Sequence, residues 1–185
     1  MNKFASCPES SGNSQPRLSL SLAFSLGVYF ALIQMTYFFL LEVFLSSRAF
    51  PFFIVLAFWL AGFLAGLNLP TRISFPKILA PGLLAYYAAW GILQKFPYHI
   101  EVLPVIGICI AVSAAAAGYY FVWAEKKITS AKNLFFYENN GFVAGLLVSL
   151  LWAVSSGKSM LLAGPLVGAI PACLILFQIR TFRTD

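Results

Sequence analysis

Two carboxylates interrupt otherwise apolar stretches of this 185-residue chain, and they are the side chains best placed to do chemistry. Glu42 stands near the outer end of the first apolar run. Glu138 stands about one turn into a later one, followed by Asn139, Asn140 and Gly141. An ionisable side chain at the centre of a membrane helix costs about 2.5–3.5 kcal/mol on insertion scales, so each needs a physical reason to be there. For Glu42 the simple reason is Arg48, six residues on at the same interface, where a snorkelling pair satisfies both charges. For Glu138 two readings stand side by side. Glu138 and the asparagines cap backbone donors at an interfacial helix start, or they line a polar pocket open to the cytoplasm with Glu138 accepting a proton or a cation. Gln34, Thr36 and Tyr37 add hydrogen-bonding groups to the middle of the first run. Together Gln34, Tyr37, Glu42, Glu138, Asn139 and Asn140 form a candidate polar cavity for a small-molecule ligand. Glu42 and Glu138 fall toward opposite faces of a membrane, which excludes a shared two-carboxylate acid/base site.

The elements that must position these groups are helices in lipid. The composition is 61% hydrophobic and 10% charged, which fits one polytopic domain and excludes a disordered chain. Six apolar stretches approach or exceed the roughly 20 residues that span a bilayer. They are Ser19–Ser46, Pro51–Leu69, Ile78–Gln94, Val102–Trp123, Leu134–Ser155 and Met160–Ile179. Backbone groups left unpaired in lipid are costly, so these stretches read as helices, and none alternates as a barrel strand would. The predicted fold is an all-α bundle of six transmembrane helices over residues 18–180. A disordered cytoplasmic tail is predicted at 1–17 and a short cytoplasmic tail at 181–185.

The net charge of +6 reflects topology. Lys3, Arg17, Arg72, Lys77, Lys126, Lys127, Lys132, Arg180 and Arg183 fall on one side of the predicted spans, and only Arg48, Lys95 and Lys158 on the other. By the positive-inside rule both termini are cytoplasmic, in a cell (inner) membrane. No basic run has a folded domain to present it, so nucleic acid is not expected as a partner. His99 is the single histidine and no CxxC pair occurs, so neither a metal site nor a cofactor is expected. No Ser-His-Asp set, phosphate-cradling glycine loop or HExxH motif appears, and the chain is not read as an enzyme.

Glycines four apart recur as Gly62/Gly66, Gly141/Gly145 and Gly164/Gly168, the spacing that lets two helix backbones approach closely. They serve internal packing or a homodimer face. The segment Gly62–Leu67 recurs as Gly141–Leu146 with five of six positions alike, the pattern left by an inverted three-plus-three repeat. Tyr86, Tyr87, Trp90, Tyr119, Tyr120 and Trp123 read as interfacial anchors.

Glu42, the turn near Ser46-Ser47, the run Leu60-Ala61-Gly62-Phe63-Leu64-Ala65-Gly66 and the later Phe136-Tyr137-Glu138-Asn139-Asn140-Gly141 carry a resemblance. This pattern resembles the membrane portion of bacterial spermidine-synthase-like proteins, which looks related to half of a major-facilitator transporter. The resemblance implies the membrane half without the soluble synthase domain, and hence no aminopropyl transfer. Two functions follow. One is a small-solute transporter or solute-binding subunit, working as a dimer or with a partner. The other is a non-catalytic membrane subunit or assembly factor, docking onto other membrane proteins through its glycine faces.

Overall fold

The computed structural model describes residues 14–45, 50–70, 75–125 and 131–181. Five α-helices fill these segments: α1 (Ser14–Phe44), α2 (Phe50–Leu67), α3 (Pro76–Lys95), α4 (Leu103–Glu125) and α5 (Ala131–Thr181). A 3₁₀ turn, Ile100–Val102, leads into α4. Most of the tail at 1–17, Arg48 with its pairing to Glu42, Arg72, the Lys126-Lys127 pair and most of the tail at 181–185 lie outside the described residues. Helix α1 begins at Ser14, inside the segment expected to be tail.

The prediction of six helices is corrected to five, of which four are long and apolar enough to cross a membrane: α1, α2, α4 with its preceding turn, and α5. Two physical reasons account for the difference. The expected fifth and sixth spans join without a loop into one element of 51 residues, two helical arms that meet at a sharp kink at Ser156 (φ −162°, ψ 68°). The polar stretch after Trp152 bonds to itself: Trp152 Nε1 donates to Ser159 Oγ at 2.8 Å, and Ser159 Oγ donates to the Ser156 carbonyl at 2.9 Å. The expected third span, α3, carries Tyr86, Tyr87, Trp90 and Gln94 and is not among the four. The inverted three-plus-three repeat, which needs six helices, falls with that count.

Prolines start these helices where a missing N–H costs nothing: Pro51 in α2, Pro76 in α3 and Pro104 in α4. At the other end of α1, the Tyr98 N–H donates to the Phe44 carbonyl at 2.8 Å and satisfies one of the last-turn acceptors. Tyr98 takes up a left-handed backbone (φ 65°) to reach it.

Helix α1 packs chiefly on α5, and α2 on α4. The two arms of α5 run along α1 in opposite senses. Going up the first arm, Gly141 meets Phe24 and Gly145 meets Val28 and Ala31. On the second arm, Gly164 meets Thr36 and Gly168 meets Leu32 and Tyr29. Helices α2 and α4 are parallel, with Gly62 on Ala111 and Gly66 on Ala115. At most of these crossings a glycine stands against the backbone of its partner, the contact only a residue without Cβ allows. All six of the glycines singled out above thus face helices of their own chain.

The burial pattern is the reverse of a water-soluble bundle. Five tyrosines (29, 37, 86, 119 and 120) are among the largest fully buried side chains, while Val154 is 90% exposed, Leu151 73% and Leu84 70%. In water so much outward apolar surface would be a liability; in lipid it is the expected exterior. Four long apolar helices and this exterior fit a multi-pass integral membrane protein.

Candidate functional site

The polar groups gather in two places. The first is the middle of the bundle, where α1, α3, α4 and α5 meet. Tyr37 Oη lies 2.9 Å from Ser113 Oγ, and Ser113 Oγ lies 2.7 Å from the Gly82 carbonyl. Ser113 has one hydroxyl hydrogen, and the carbonyl can only accept. Both hydroxyls also lie 3.1 Å from the Cys109 carbonyl, so either can be the donor between Tyr37 and Ser113 while the carbonyls of Gly82 and Cys109 accept. Gly82 permits this, since a Cβ there would come within 3.2 Å of the Ser113 Cα. Tyr86 packs edge-on against Tyr37, ring centroids 5.1 Å apart.

Tyr86 Oη donates to the Leu161 carbonyl at 2.7 Å. That carbonyl has lost its helical donor, because the residue four further on is Pro165. Next to it, Tyr87 Oη donates to the Leu162 carbonyl at 2.8 Å. Tyrosines of α3 thus repair or reinforce the backbone of α5 beside its proline. This cluster is hydrogen-bonded throughout, so it fastens four helices together and offers no open group to a ligand.

The second place surrounds Glu138. It is 8% exposed, and its backbone carbonyl lies against Gly27 of α1. Its carboxyl is close enough to the Tyr120 hydroxyl for the two to interact electrostatically. Tyr120 is fully buried, and its hydroxyl has no hydrogen-bond partner among the described residues; the same holds for Tyr29. The only ion pair among the described residues is His99 Nδ1 with Glu101 Oε2 at 3.4 Å, on the surface at the opposite end of α1.

The six residues named for a polar cavity do not converge. Glu138 lies beside Gly27, ten residues from Tyr37 along α1, or about 15 Å at 1.5 Å per residue. Tyr37 is consumed by the central cluster. Gln34 and Glu42 are half-buried on α1, and Glu42 is a further turn and more beyond Tyr37. Asn139 and Asn140 are exposed on the outside of α5, where Asn140 Nδ2 donates to the Phe136 carbonyl at 2.7 Å. Consecutive helical residues point about 100° apart, so a run of three polar residues cannot all line one pocket.

Sequence reasoning missed Ser113 as a hydrogen-bonding residue and took Tyr86, Tyr119 and Tyr120 for interfacial anchors, whereas all three are buried. One signal for Tyr86 was available. Pro165 inside a helix announces a carbonyl in need of a donor.

Among the described residues no three His, Cys, Asp or Glu side chains gather to hold a metal ion. Protein-family models, curated proteins and solved structures contain no match to this chain. The fold and the burial pattern define its class: an α-helical, multi-pass membrane bundle.

Proposed function

We propose that the protein is a non-catalytic membrane subunit that docks onto another membrane-embedded chain through the outer face of the first arm of α5. The carrying observation is Asn139. It is exposed on a stripe with Val143 (55% exposed) and Leu147 (58% exposed), and its amide has no hydrogen bond among the described residues. Lipid suits valine and leucine, but it leaves the two donors and the acceptor of an asparagine amide unpaired. An asparagine on such a face is the residue type that bonds across to a neighbouring helix. The glycine faces contact helices of their own chain, so the docking surface is this stripe and not the glycines. The resemblance to the membrane half of spermidine-synthase-like proteins, in an inner membrane, belongs to this proposal and is supported by the motifs around Glu42, Gly62 and Glu138.

Native mass spectrometry of the protein extracted gently from its own membrane tests the reading. A stoichiometric protein partner is expected. Asn139→Leu should weaken that complex about 3- to 20-fold, the effect of one interhelical hydrogen bond of about 0.6–1.7 kcal/mol. A complex unchanged by Asn139→Leu, or a chain without a protein partner, would refute it.

A second reading, a transporter-like solute-binding subunit, is favoured by the buried Glu138 beside an unpartnered Tyr120 hydroxyl. On this reading Glu138→Gln abolishes retention or uptake of the solute while membrane insertion is unchanged. Retention that survives the substitution rules it out.

A further inference from the structure

We infer that the turn between α3 and α4 is an anchor to the lipid headgroup region, inserted through Phe96, Tyr98 and Ile100. The starting observation is Tyr98. Its backbone is left-handed (φ 65°), a conformation that glycine takes freely and a residue with a Cβ rarely does. Among the described residues no other non-glycine residue does so. A glycine would make the same turn and offer the same N–H to the Phe44 carbonyl. The tyrosine side chain thus stands there against a backbone cost, yet it makes no bond within the chain. It is 73% exposed, its hydroxyl has no hydrogen bond, and its ring meets no other ring among the described residues. A strained backbone that carries an idle side chain points to a use outside the fold.

Its neighbours share the exposure. Phe96 is 50% and Ile100 69% exposed, so apolar side chains stand open at alternate positions of one short stretch. The charges beside them answer each other. His99 Nδ1 lies 3.4 Å from Glu101 Oε2, and the His99 ring stands edge-on to Phe96, centroids 6.1 Å apart.

Depth selects the partner. The Tyr98 N–H is bonded at 2.8 Å to the carbonyl of Phe44, the last residue of α1, and Ile100 opens the span that carries α4. The turn therefore sits at the level where two spans end. The second of these has 26 residues, about 39 Å at 1.5 Å per residue, against about 30 Å of hydrocarbon. Centred in a bilayer it reaches about 5 Å past the acyl chains at each end, which is among the headgroups. An aromatic ring with one polar tip is stable at that level. Val43, beside Phe44, is 58% exposed, so the apolar exterior of α1 runs on into the turn. The exposed Lys95, which ends α3, has a stem long enough to place its ammonium among the phosphates. Tyr86, Tyr119 and Tyr120, expected at the interface, are buried, and this turn takes the interfacial part at its end of the bundle. It lies at the other end of α1 from Gly27 and Glu138, and so apart from the docking stripe at Asn139.

The full-length protein, labelled with fluorotyrosine and held in phosphatidylcholine nanodiscs, tests this by fluorine NMR. The Tyr98 signal is the one lost in Tyr98→Phe. It should be broadened more by phosphatidylcholine carrying a nitroxide at the top of its acyl chain than by a water-soluble gadolinium chelate. Broadening by the chelate alone would put the turn in water and overturn the anchor. A signal that the nitroxide lipid reaches in nanodiscs, but that neither reagent reaches in native membranes, would assign the turn to a protein partner and overturn the lipid assignment. Thermal unfolding in the same nanodiscs gives a second reading by its sign. Tyr98→Gly relieves the backbone but removes the ring, and it should lower the midpoint by about 2–4 °C, a single-residue effect in a chain of this size. Tyr98→Trp should leave the midpoint in place. A rise on Tyr98→Gly, as for a turn simply freed of strain, would overturn the anchor as well.

Discussion

Gly141→Val is expected to destabilise the protein by about 3 kcal/mol or more, at or above the upper end of what overpacking a closed contact costs. A Cβ at Gly141 meets the carbonyl oxygen of Phe24, with the Phe24 carbonyl carbon at 2.8 Å and its Cα at 3.0 Å. These are backbone atoms of α1 and have no rotamer to give. Relief requires moving one whole helix off another along the longest seam of the bundle, where Gly27 makes the reciprocal contact with Glu138 and Phe142. Gly164 offers the contrast: its nearest neighbour is the Thr36 Cγ2 at 3.2 Å, a side-chain atom that can shift, so Gly164→Ala should cost far less. Gly91, inside α3 with no atom within 4 Å of an added Cβ, is the control. There alanine should stabilise by about 0.5–1 kcal/mol through helix propensity alone. Thermal unfolding in detergent orders the three variants. Were Gly141→Val no worse than Gly91→Ala, the α1–α5 seam could not be a backbone-to-backbone contact.

That contrast also shows what the sequence could and could not reveal. Spacing alone marked Gly62, Gly66, Gly141, Gly145, Gly164 and Gly168 as close-approach positions, because four residues make slightly more than one turn. Their partners were beyond reach, since nothing local says that Gly141 lies against Phe24 or Gly66 against Ala115. The helix count went astray at Ser156–Ser159, where a polar stretch reads as a loop, yet the chain turns between the two arms at the single kinked residue Ser156 and the arms form one element. Glu138, Asn139 and Asn140 looked like one polar patch because they are adjacent in sequence. The turn of the helix sends the first inward and the other two out. The buried tyrosines were misread for a different reason. Tyrosine has two habitats in membrane proteins, the interface and the hydrogen-bonded interior, and choosing between them requires knowing where an acceptor lies. For Tyr37 the partners are the Cys109 carbonyl and Ser113, on a helix more than seventy residues away.

For Tyr86 the acceptor was written into the chain, and this gives the second large effect. Tyr86→Phe should cost toward the top of the about 0.6–1.7 kcal/mol range for interhelical hydrogen bonds in membranes. The Leu161 carbonyl loses its side-chain donor, and Pro165 supplies no i+4 N–H from within α5. Tyr87→Phe should cost less, although its bond is nearly as short at 2.8 Å. The Leu162 carbonyl keeps a helical donor in the N–H of Leu166. The decisive comparison is Tyr86→Phe in a Pro165→Ala background. Alanine restores an N–H aimed at the Leu161 carbonyl, so the tyrosine is no longer needed there, and its loss should cost less than half as much. The two substitutions should therefore be coupled by about 1 kcal/mol in a double-mutant cycle on unfolding in detergent. Strictly additive effects would mean that Tyr86 stabilises the bundle by packing against Tyr37 alone and that the carbonyl beside Pro165 is satisfied in some other way. A coupled result would show why α3, the least apolar of the helices expected to cross the membrane, keeps its tyrosines. They supply to α5 the hydrogen bond that its own proline withholds.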